Sequence, residues 1–187
     1  MSGERAMSKD AQTVHQTAAI TTGVLVVREA GRDDARAISN LLRCAFLEFE
    51  PLYTPEAFLA TAPSEIGTLA RLEEGPLWVV EGRDALVGTV SAKCLSDSVY
   101  IRGMAVHPAA RGLGLGRMLL AQMERFARQQ NRKYLCLYTT AFLKQAIHLY
   151  QRAGFRFTGE TANPHGVELL RMVKALGTTA KQDRATR

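Results

Sequence analysis

Short apolar runs separated by polar turns predict β-strands in the middle of the chain. The runs at 77–81, 86–95 and 99–106 are rich in β-branched and aromatic residues, which favour strands. The first two runs are separated by Gly82-Arg83-Asp84, a sequence typical of a tight turn. We therefore predict an antiparallel meander over these three runs, preceded by a short strand at 24–28.

Apolar residues at helical spacing predict three helices between the first strand and the meander. The first helix begins after Asp33 or Asp34 as its capping residue and ends at Pro51. The second begins at Thr54-Pro55-Glu56, with threonine as the cap and proline in the first turn, and the third spans 64–74. The apolar face of the first helix consists of Ala35, Ile38, Leu42, Ala45, Phe46 and Phe49.

Helices and strands alternate in the second half of the chain. A helix at 117–128 is followed by a strand at 134–140, a helix at 142–152 and a final hairpin of strands at 155–160 and 167–173. A strand–helix–strand unit crosses over its sheet with a right hand. The order of elements therefore predicts a mixed sheet.

The composition is that of one folded domain. The length of 187 residues allows a sizeable core, and 47% apolar with 22% charged residues is ordinary for a globular protein. No apolar run approaches the roughly 18 residues of a membrane span, so no membrane association is predicted. We predict a folded domain at 24–176, a disordered leader at 1–23 and a disordered tail at 177–187.

The net charge of +6 is dispersed along the chain. Its densest basic stretches lie at 125–133 and 181–187, and neither carries a recognisable nucleic-acid-binding motif. We therefore predict an anionic small ligand and no nucleic acid. A basic nucleic-acid-associated protein is the alternative, and it would bind duplexes with a steep dependence on salt.

The three cysteines exclude the common cysteine frameworks. Cys44, Cys94 and Cys136 are far apart and form no C-x-x-C pair, so neither a zinc site nor a disulfide framework is predicted. The four histidines also lack the spacing of metal ligands. We predict that the chain binds no metal and that its location is cytoplasmic.

A glycine-rich turn carries the strongest chemical signal. Arg111-Gly112-Leu113-Gly114-Leu115-Gly116 lies between the strand ending at Val106 and the helix beginning at Arg117. The first N–H groups of a helix have no partner within the helix, and the helix dipole is positive there. Glycine lets a phosphate approach the backbone. The turn therefore predicts a site for a phosphorylated ligand.

Further motifs flank this turn at a defined separation. Met104-Ala105-Val106-x-Pro108 precedes Arg111-x-x-Gly114-x-Gly116, and Ala146-Ile147-His148-Leu149-Tyr150 and Gly154-Phe155 follow it. Together these residues resemble the GNAT superfamily of N-acetyltransferases over residues 24–174. The resemblance implies a single α/β (α+β) domain, with a mixed, mostly antiparallel twisted sheet of about six to seven strands and helices on both faces.

The resemblance implies acetyl-CoA as the co-substrate. Its diphosphate would be bound by the backbone N–H groups of Gly112–Arg117 and by the charges of Arg111 and Arg117. Its pantetheine arm would pair with the backbone of Met104–Val106, as an added strand does. The implied cofactor-binding residues are Met104, Ala105, Val106, Arg111, Gly112, Leu113, Gly114, Leu115, Gly116 and Arg117.

The resemblance also assigns one catalytic residue. It implies direct attack of an amine on the thioester, with Tyr150 as the general acid for the leaving thiolate. The alternative is that the tyrosine ring only packs in the core. The chain has Tyr138 and Leu143 where many relatives carry a glutamate and an asparagine, so no general base is identified.

Three charged residues are candidates for contact with the acceptor. Glu48 and Glu50 lie near the first two helices, which border the acceptor site in this family, and Arg102 lies in an apolar strand. The alternatives are ordinary surface carboxylates for the two glutamates and an ion pair with a neighbouring acid for the arginine.

These observations predict an N-acetyltransferase. It transfers an acetyl group from acetyl-CoA to a primary amine of a small molecule or peptide within a ternary complex. A non-catalytic acyl-CoA-binding sensor with the same fold is the alternative. Homodimers are common among similar proteins, so a homodimer is a further expectation.

Overall fold

Seven strands form one open sheet in the computed structural model, which describes residues 24–177. The strand order is β1-β2-β3-β4-β5-β7-β6, and every neighbouring pair is antiparallel except the parallel pair β4–β5. The predicted mixed, mostly antiparallel sheet is confirmed. The strands are β1 (Val26–Glu29), β2 (Leu77–Glu81), β3 (Leu86–Cys94), β4 (Ser98–Val106), β5 (Tyr134–Thr139), β6 (Arg156–Ala162) and β7 (Leu169–Ala175).

Five α-helices cover the two faces of the sheet. The first three pack on one face and the last two on the other. The predicted leader at 1–23, and the tail beyond residue 177, lie outside the described residues. The helices are α1 (Ala35–Phe46), α2 (Pro55–Thr61), α3 (Glu65–Glu74), α4 (Leu115–Gln129) and α5 (Lys144–Arg152).

The apolar side chains of strand β2 are buried on both faces of the sheet. Leu77 and Val79 pack with α1 and α2, while Trp78 and Val80 pack with α4. Side chains of a strand alternate between faces, so a strand that is buried on both sides consists of consecutive apolar residues.

A side chain caps the start of α2 but not the start of α1. Thr54 caps α2, because its Oγ1 accepts a hydrogen bond of 3.1 Å from the Ala57 N–H, as predicted. The predicted cap of α1 by Asp33 or Asp34 is wrong, because no side chain caps that helix. The Asp34 carboxylate instead accepts hydrogen bonds of 2.8 Å from the Gly31 N–H and from Arg28, and this pair with Arg28 lowers the pKa of Asp34.

A bulge in β4 separates this strand from β5. Between the pairs Thr89↔Ala105 and Ser91↔Arg102, β4 has one residue more than β3, and Gly103 in this bulge has φ of 55°. The parallel pairing of β4 with β5 ends at Ile101↔Leu137. The last residues of β4 therefore have no strand partner on their β5 side.

None of the helices found in residues 24–177 is both long and apolar enough to cross a bilayer.

Gly103→Ala is expected to destabilise the fold. A residue with a Cβ atom pays about 1–2 kcal/mol for a left-handed conformation, and the new Cβ would lie 2.7 Å from Arg71 Nη1. We expect the free energy of unfolding to fall by about 1–3 kcal/mol in urea titrations, with an unchanged m-value.

The matched control is Gly31→Ala, since Gly31 has φ of −98° and no heavy atom within 4 Å of an added Cβ. Equal stability losses in the two variants would show that the bulge does not depend on glycine.

Candidate active site

A groove of about 750 Å³ opens where β4 leaves β5. One wall is the end of β4 with the turn that follows it, and the opposite wall is the segment leading into α5. The start of α4 forms the floor, and the end of α1 borders the mouth. The residues that line the groove on the β4 and α4 sides are Met104, Ala105, Val106, Ala110, Arg111, Gly112, Gly114, Leu115, Gly116 and Arg117.

The glycine-rich turn presents free backbone donors to this groove. Gly112 and Gly114 have φ of 84° and 77°, a region that residues with a side chain rarely adopt. Within the described chain, the N–H groups of residues 112–116 donate to no backbone carbonyl. The Arg117 N–H differs, because it donates to the Gly114 carbonyl at 3.0 Å. Five amides, rather than the six predicted, are therefore free to bind an anion at the start of α4.

Cations outnumber anions along the groove. Among the described residues, Arg111, Arg117 and Lys144 line it, against the single carboxylate of Glu48. Glu48 Oε1 lies 2.5 Å from Arg111 Nη2, and the same guanidinium donates to the Ala45 carbonyl at 3.2 Å. Arg111 is thereby held over the mouth of the groove, where its charge can meet an anionic ligand.

Gly116 brings α4 and α5 together. A Cβ atom at this position would lie 2.6 Å from Leu149 Cδ2, so only glycine allows this approach without a shift of Leu149. The third glycine of the turn therefore serves helix packing, whereas the first two shape the backbone around the free amides.

A second cavity of about 280 Å³, called the inner cavity below, lies between α2, α3, the facing ends of β4 and β5 and the loop that joins β6 to β7. Its walls include the aromatic residues Tyr53, Tyr100 and Tyr138 and the cations Arg71 and Arg102. The groove and the inner cavity share four lining residues, which are Phe46, Met104, Leu143 and Tyr150.

Tyr150 is buried at the junction of the two cavities. Its side chain from α5 is 8% exposed, and its ring lies 5.9 Å from that of Phe155 between centroids. Burial, with a smaller effect of Tyr53, raises the pKa of Tyr150 to about 12. The phenol is therefore a neutral hydrogen-bond donor throughout the physiological pH range.

The other candidate residues fall into different places. Arg102 pairs with Glu74 at 3.0 Å, as the alternative of an ion pair with a neighbouring acid predicts. Arg102 also lines the inner cavity. Glu48 lines the groove as the partner of Arg111. Glu50 is exposed and Leu113 is 41% exposed, and neither lines the groove or the inner cavity.

Arg71, which lines the inner cavity with Arg102, was not among the predicted site residues. It lies three residues after Thr68, which is buried, and next to Leu72, which packs against the core. Residues three or four apart share a helix face, so an arginine on the inner face of α3 was the available signal. Cys136, in contrast, is buried in the core, and burial raises the pKa of its thiol.

Comparisons with known proteins agree with this geometry. The model of the acetyltransferase (GNAT) family matches residues 35–155. The uncharacterized N-acetyltransferase YjgM of Escherichia coli is 32% identical over 137 residues, which cover 70% of this chain and 81% of that protein. Streptothricin acetyltransferase of Streptomyces lavendulae is 35% identical over 79 residues, which cover 42% of each chain.

A solved structure shares the fold. YncA from Salmonella typhimurium, solved with its cofactor acetyl-CoA, superposes with a TM-score of 0.64 at 22% identity, over 86% of this chain and 99% of that one. The predicted class, an acetyltransferase with acetyl-CoA as its co-substrate, is confirmed at the level of the family. The matches over residues 35–155 and over most of the Escherichia coli protein show that this chain belongs to the GNAT acetyltransferase family.

Proposed function

We propose that this protein transfers the acetyl group of acetyl-CoA to a primary amine of a small molecule or peptide, by direct attack within a ternary complex. The observation that carries the proposal is the position of Tyr150. It lies where a cationic groove with free amides meets a separate inner cavity, so one hydroxyl adjoins a place for each substrate.

The groove fits the coenzyme part of acetyl-CoA. In the proposed complex, the free amides of residues 112–116 and the charges of Arg111 and Arg117 bind the diphosphate. The backbone of Met104–Val106, which β5 leaves uncovered, pairs with the amide groups of the pantetheine arm. The thioester then lies toward Tyr150, at the inner end of the groove.

In this proposal Tyr150 stabilises the leaving sulfur. A phenol with a pKa of about 12 is a weaker acid than a free thiol, by about 5 kcal/mol against an ordinary thiol pKa of ~8.5. Burial also raises the pKa of a thiol, so the difference between the pKa values of the phenol and the thiol is smaller inside the site. Tyr150 therefore donates a strong hydrogen bond to the thiolate sulfur and passes its proton as the C–S bond breaks.

The acceptor amine must reach the site in its neutral form. None of the described residues lining the inner cavity is an aspartate or a glutamate, and Glu48 in the groove is paired with Arg111. Deprotonation at pH 7 costs about 1 kcal/mol for the α-amine of a peptide but about 5 kcal/mol for a lysine-like amine. The proposal therefore favours acceptors with an α-amine, whose proton leaves through water. Homodimerisation and a cytoplasmic location stay predictions.

Gly114→Glu is expected to abolish the binding of acetyl-CoA. The carboxylate would lie beside the free amides and repel the diphosphate, and each lost charged hydrogen bond costs about 1.5–3 kcal/mol. We expect titration calorimetry to show a dissociation constant at least about 100-fold higher than that of the wild type.

Gly159→Glu is the matched control, because Gly159 also has a positive φ of 81° and open space around it, but lies in β6 away from the groove. Equal weakening by both variants, or unchanged affinity of Gly114→Glu, would refute the proposed diphosphate site.

Tyr150→Phe is expected to slow turnover while sparing coenzyme binding. The phenylalanine ring keeps the packing on Phe155, but the proton donor is lost, and general acids contribute about 10²–10⁴-fold to rates. We expect kcat to fall by that factor in a thiol-release assay. Tyr134→Phe, at an exposed tyrosine in β5, should retain the wild-type kcat.

A kcat of Tyr150→Phe near that of the wild type would leave Tyr150 with a packing role only. Coenzyme binding without turnover in the wild type would favour the sensor alternative.

The pH profile of kcat/KM should show no decline between pH 6 and pH 9. Because burial raises the pKa of Tyr150 to about 12, its protonated form persists as pH rises, whereas the acceptor amine becomes neutral. We expect kcat/KM to rise with pH as the amine becomes neutral, with no decline between pH 6 and pH 9. A decline below pH 9 that disappears in Tyr150→Phe would contradict the neutral, buried donor.

A further inference from the structure

Two half-buried guanidinium groups line the inner cavity, and each has a buried nitrogen without a hydrogen-bond partner in the described part of the chain. Arg71 Nη2 donates to the Ala60 carbonyl, but Arg71 Nη1 is buried without a hydrogen-bond partner. Arg102 Nε is likewise buried without a partner. Both side chains line the inner cavity. Buried polar groups are nearly always hydrogen-bonded in folded proteins, so two such donors in one cavity point to an acceptor group on a ligand.

The charges around these arginines do not balance. Glu74 is the carboxylate that pairs with Arg102, at 3.0 Å, and it also binds Lys93 at 2.6 Å. Three cations therefore share one anion. Burial and the nearby charge of Arg102 lower the pKa of Arg71 to about 10, which is the response of a cation that lacks a compensating partner.

The bulge in β4 places Arg71 close to the reaction centre. Gly103 has no side chain, and a Cβ atom there would lie 2.7 Å from Arg71 Nη1. The guanidinium therefore lies against the backbone one residue before Met104, which lines both the groove and the inner cavity. A ligand that contacts Arg71 within this cavity can extend toward Tyr150.

The cavity also limits the size and charge of its ligand. Its volume of about 280 Å³ is at the lower limit of the roughly 300–1,000 Å³ typical of sites for drug-sized ligands. Arg71 and Arg102 repel a polycation, and no aspartate or glutamate among the described lining residues would compensate. A small amine that carries an anionic group fits both conditions.

We infer that the acceptor is an amino acid, whose carboxylate is bound by Arg71 and Arg102 while its amine faces the thioester beside Tyr150. Two free guanidinium donors match the two oxygens of a carboxylate. This inference rests on the proposed acetyl transfer and narrows its acceptor class.

The first test compares acceptors that differ only in the carboxylate. Thiol release from acetyl-CoA is measured with the common L-amino acids and with their α-carboxamides, and aspartate and glutamate are compared with asparagine and glutamine. Spermidine and kanamycin serve as cationic amines without a carboxylate. A charged hydrogen-bonding pair contributes about 1.5–3 kcal/mol, so we expect kcat/KM for the best carboxylate to exceed that of its carboxamide by about 10- to 100-fold. The carboxamide has the more easily deprotonated α-amine, so this order would not arise from amine basicity.

The second test changes the arginine. Arg71→Gln should lower kcat/KM for the carboxylate acceptor by about 10- to 100-fold, mainly through KM, and should lower kcat/KM for the carboxamide much less, while the affinity for acetyl-CoA stays unchanged. Arg71→Lys keeps the charge but lacks the planar donors, so its kcat/KM for the carboxylate acceptor should lie between those of the wild type and Arg71→Gln. Arg83→Gln, at an exposed arginine in the β2–β3 turn, is the matched control and should behave like the wild type.

Three results would overturn the inference, and they are distinguishable from one another. Preference for spermidine or kanamycin over every amino acid would refute the carboxylate site but leave the proposed acetyl transfer intact. Equal losses of Arg71→Gln on carboxylate and carboxamide would give Arg71 a structural role only. Binding of acetyl-CoA without transfer to any amine would refute the proposed function itself, and the acceptor assignment with it.

Discussion

The separation of β4 from β5 is the constraint on which the site depends. The two strands pair only as far as Ile101 and Leu137, because the bulge at Gly103 turns the end of β4 away. Backbone donors and acceptors that a regular sheet would satisfy within itself remain available to a ligand. The same divergence opens the groove on one side and the inner cavity on the other, so in the proposed complex the cofactor and the acceptor meet at one point between the strands.

Desolvation then gives this point its chemistry. Tyr150 is buried at the meeting of the two cavities, and its raised pKa keeps the proton on the oxygen. Arg71 is half-buried in the inner cavity, where, within residues 24–177, its Nη1 is buried without a hydrogen-bond partner and no carboxylate pairs with it alone. The free amides of residues 112–116 form the outer end. In the proposed complex, hydrogen-bond donors at both ends of the site face anionic groups, and the neutral phenol of Tyr150 lies between them.

The parts that could be predicted from the sequence are those governed by neighbouring residues. The cap at Thr54 and the turn at Gly114 depend on contacts or backbone angles within a few positions. The motifs around the turn were sufficient to predict the family. The cap at Asp34 was wrong because Arg28 and Gly31 bind its carboxylate instead. Arg71 was missed because its cavity combines α3 with strands about 30 residues or more along the chain, which no local pattern reveals.

A crystal structure of the complex with acetyl-CoA tests the central claim most directly. The account predicts diphosphate oxygens within hydrogen-bonding distance, about 2.7–3.2 Å, of amides in residues 112–116, with the pantetheine arm alongside Met104–Val106 and the thioester sulfur next to the Tyr150 hydroxyl. A diphosphate bound at any other surface, or a pantetheine arm that avoids the gap between β4 and β5, would contradict it.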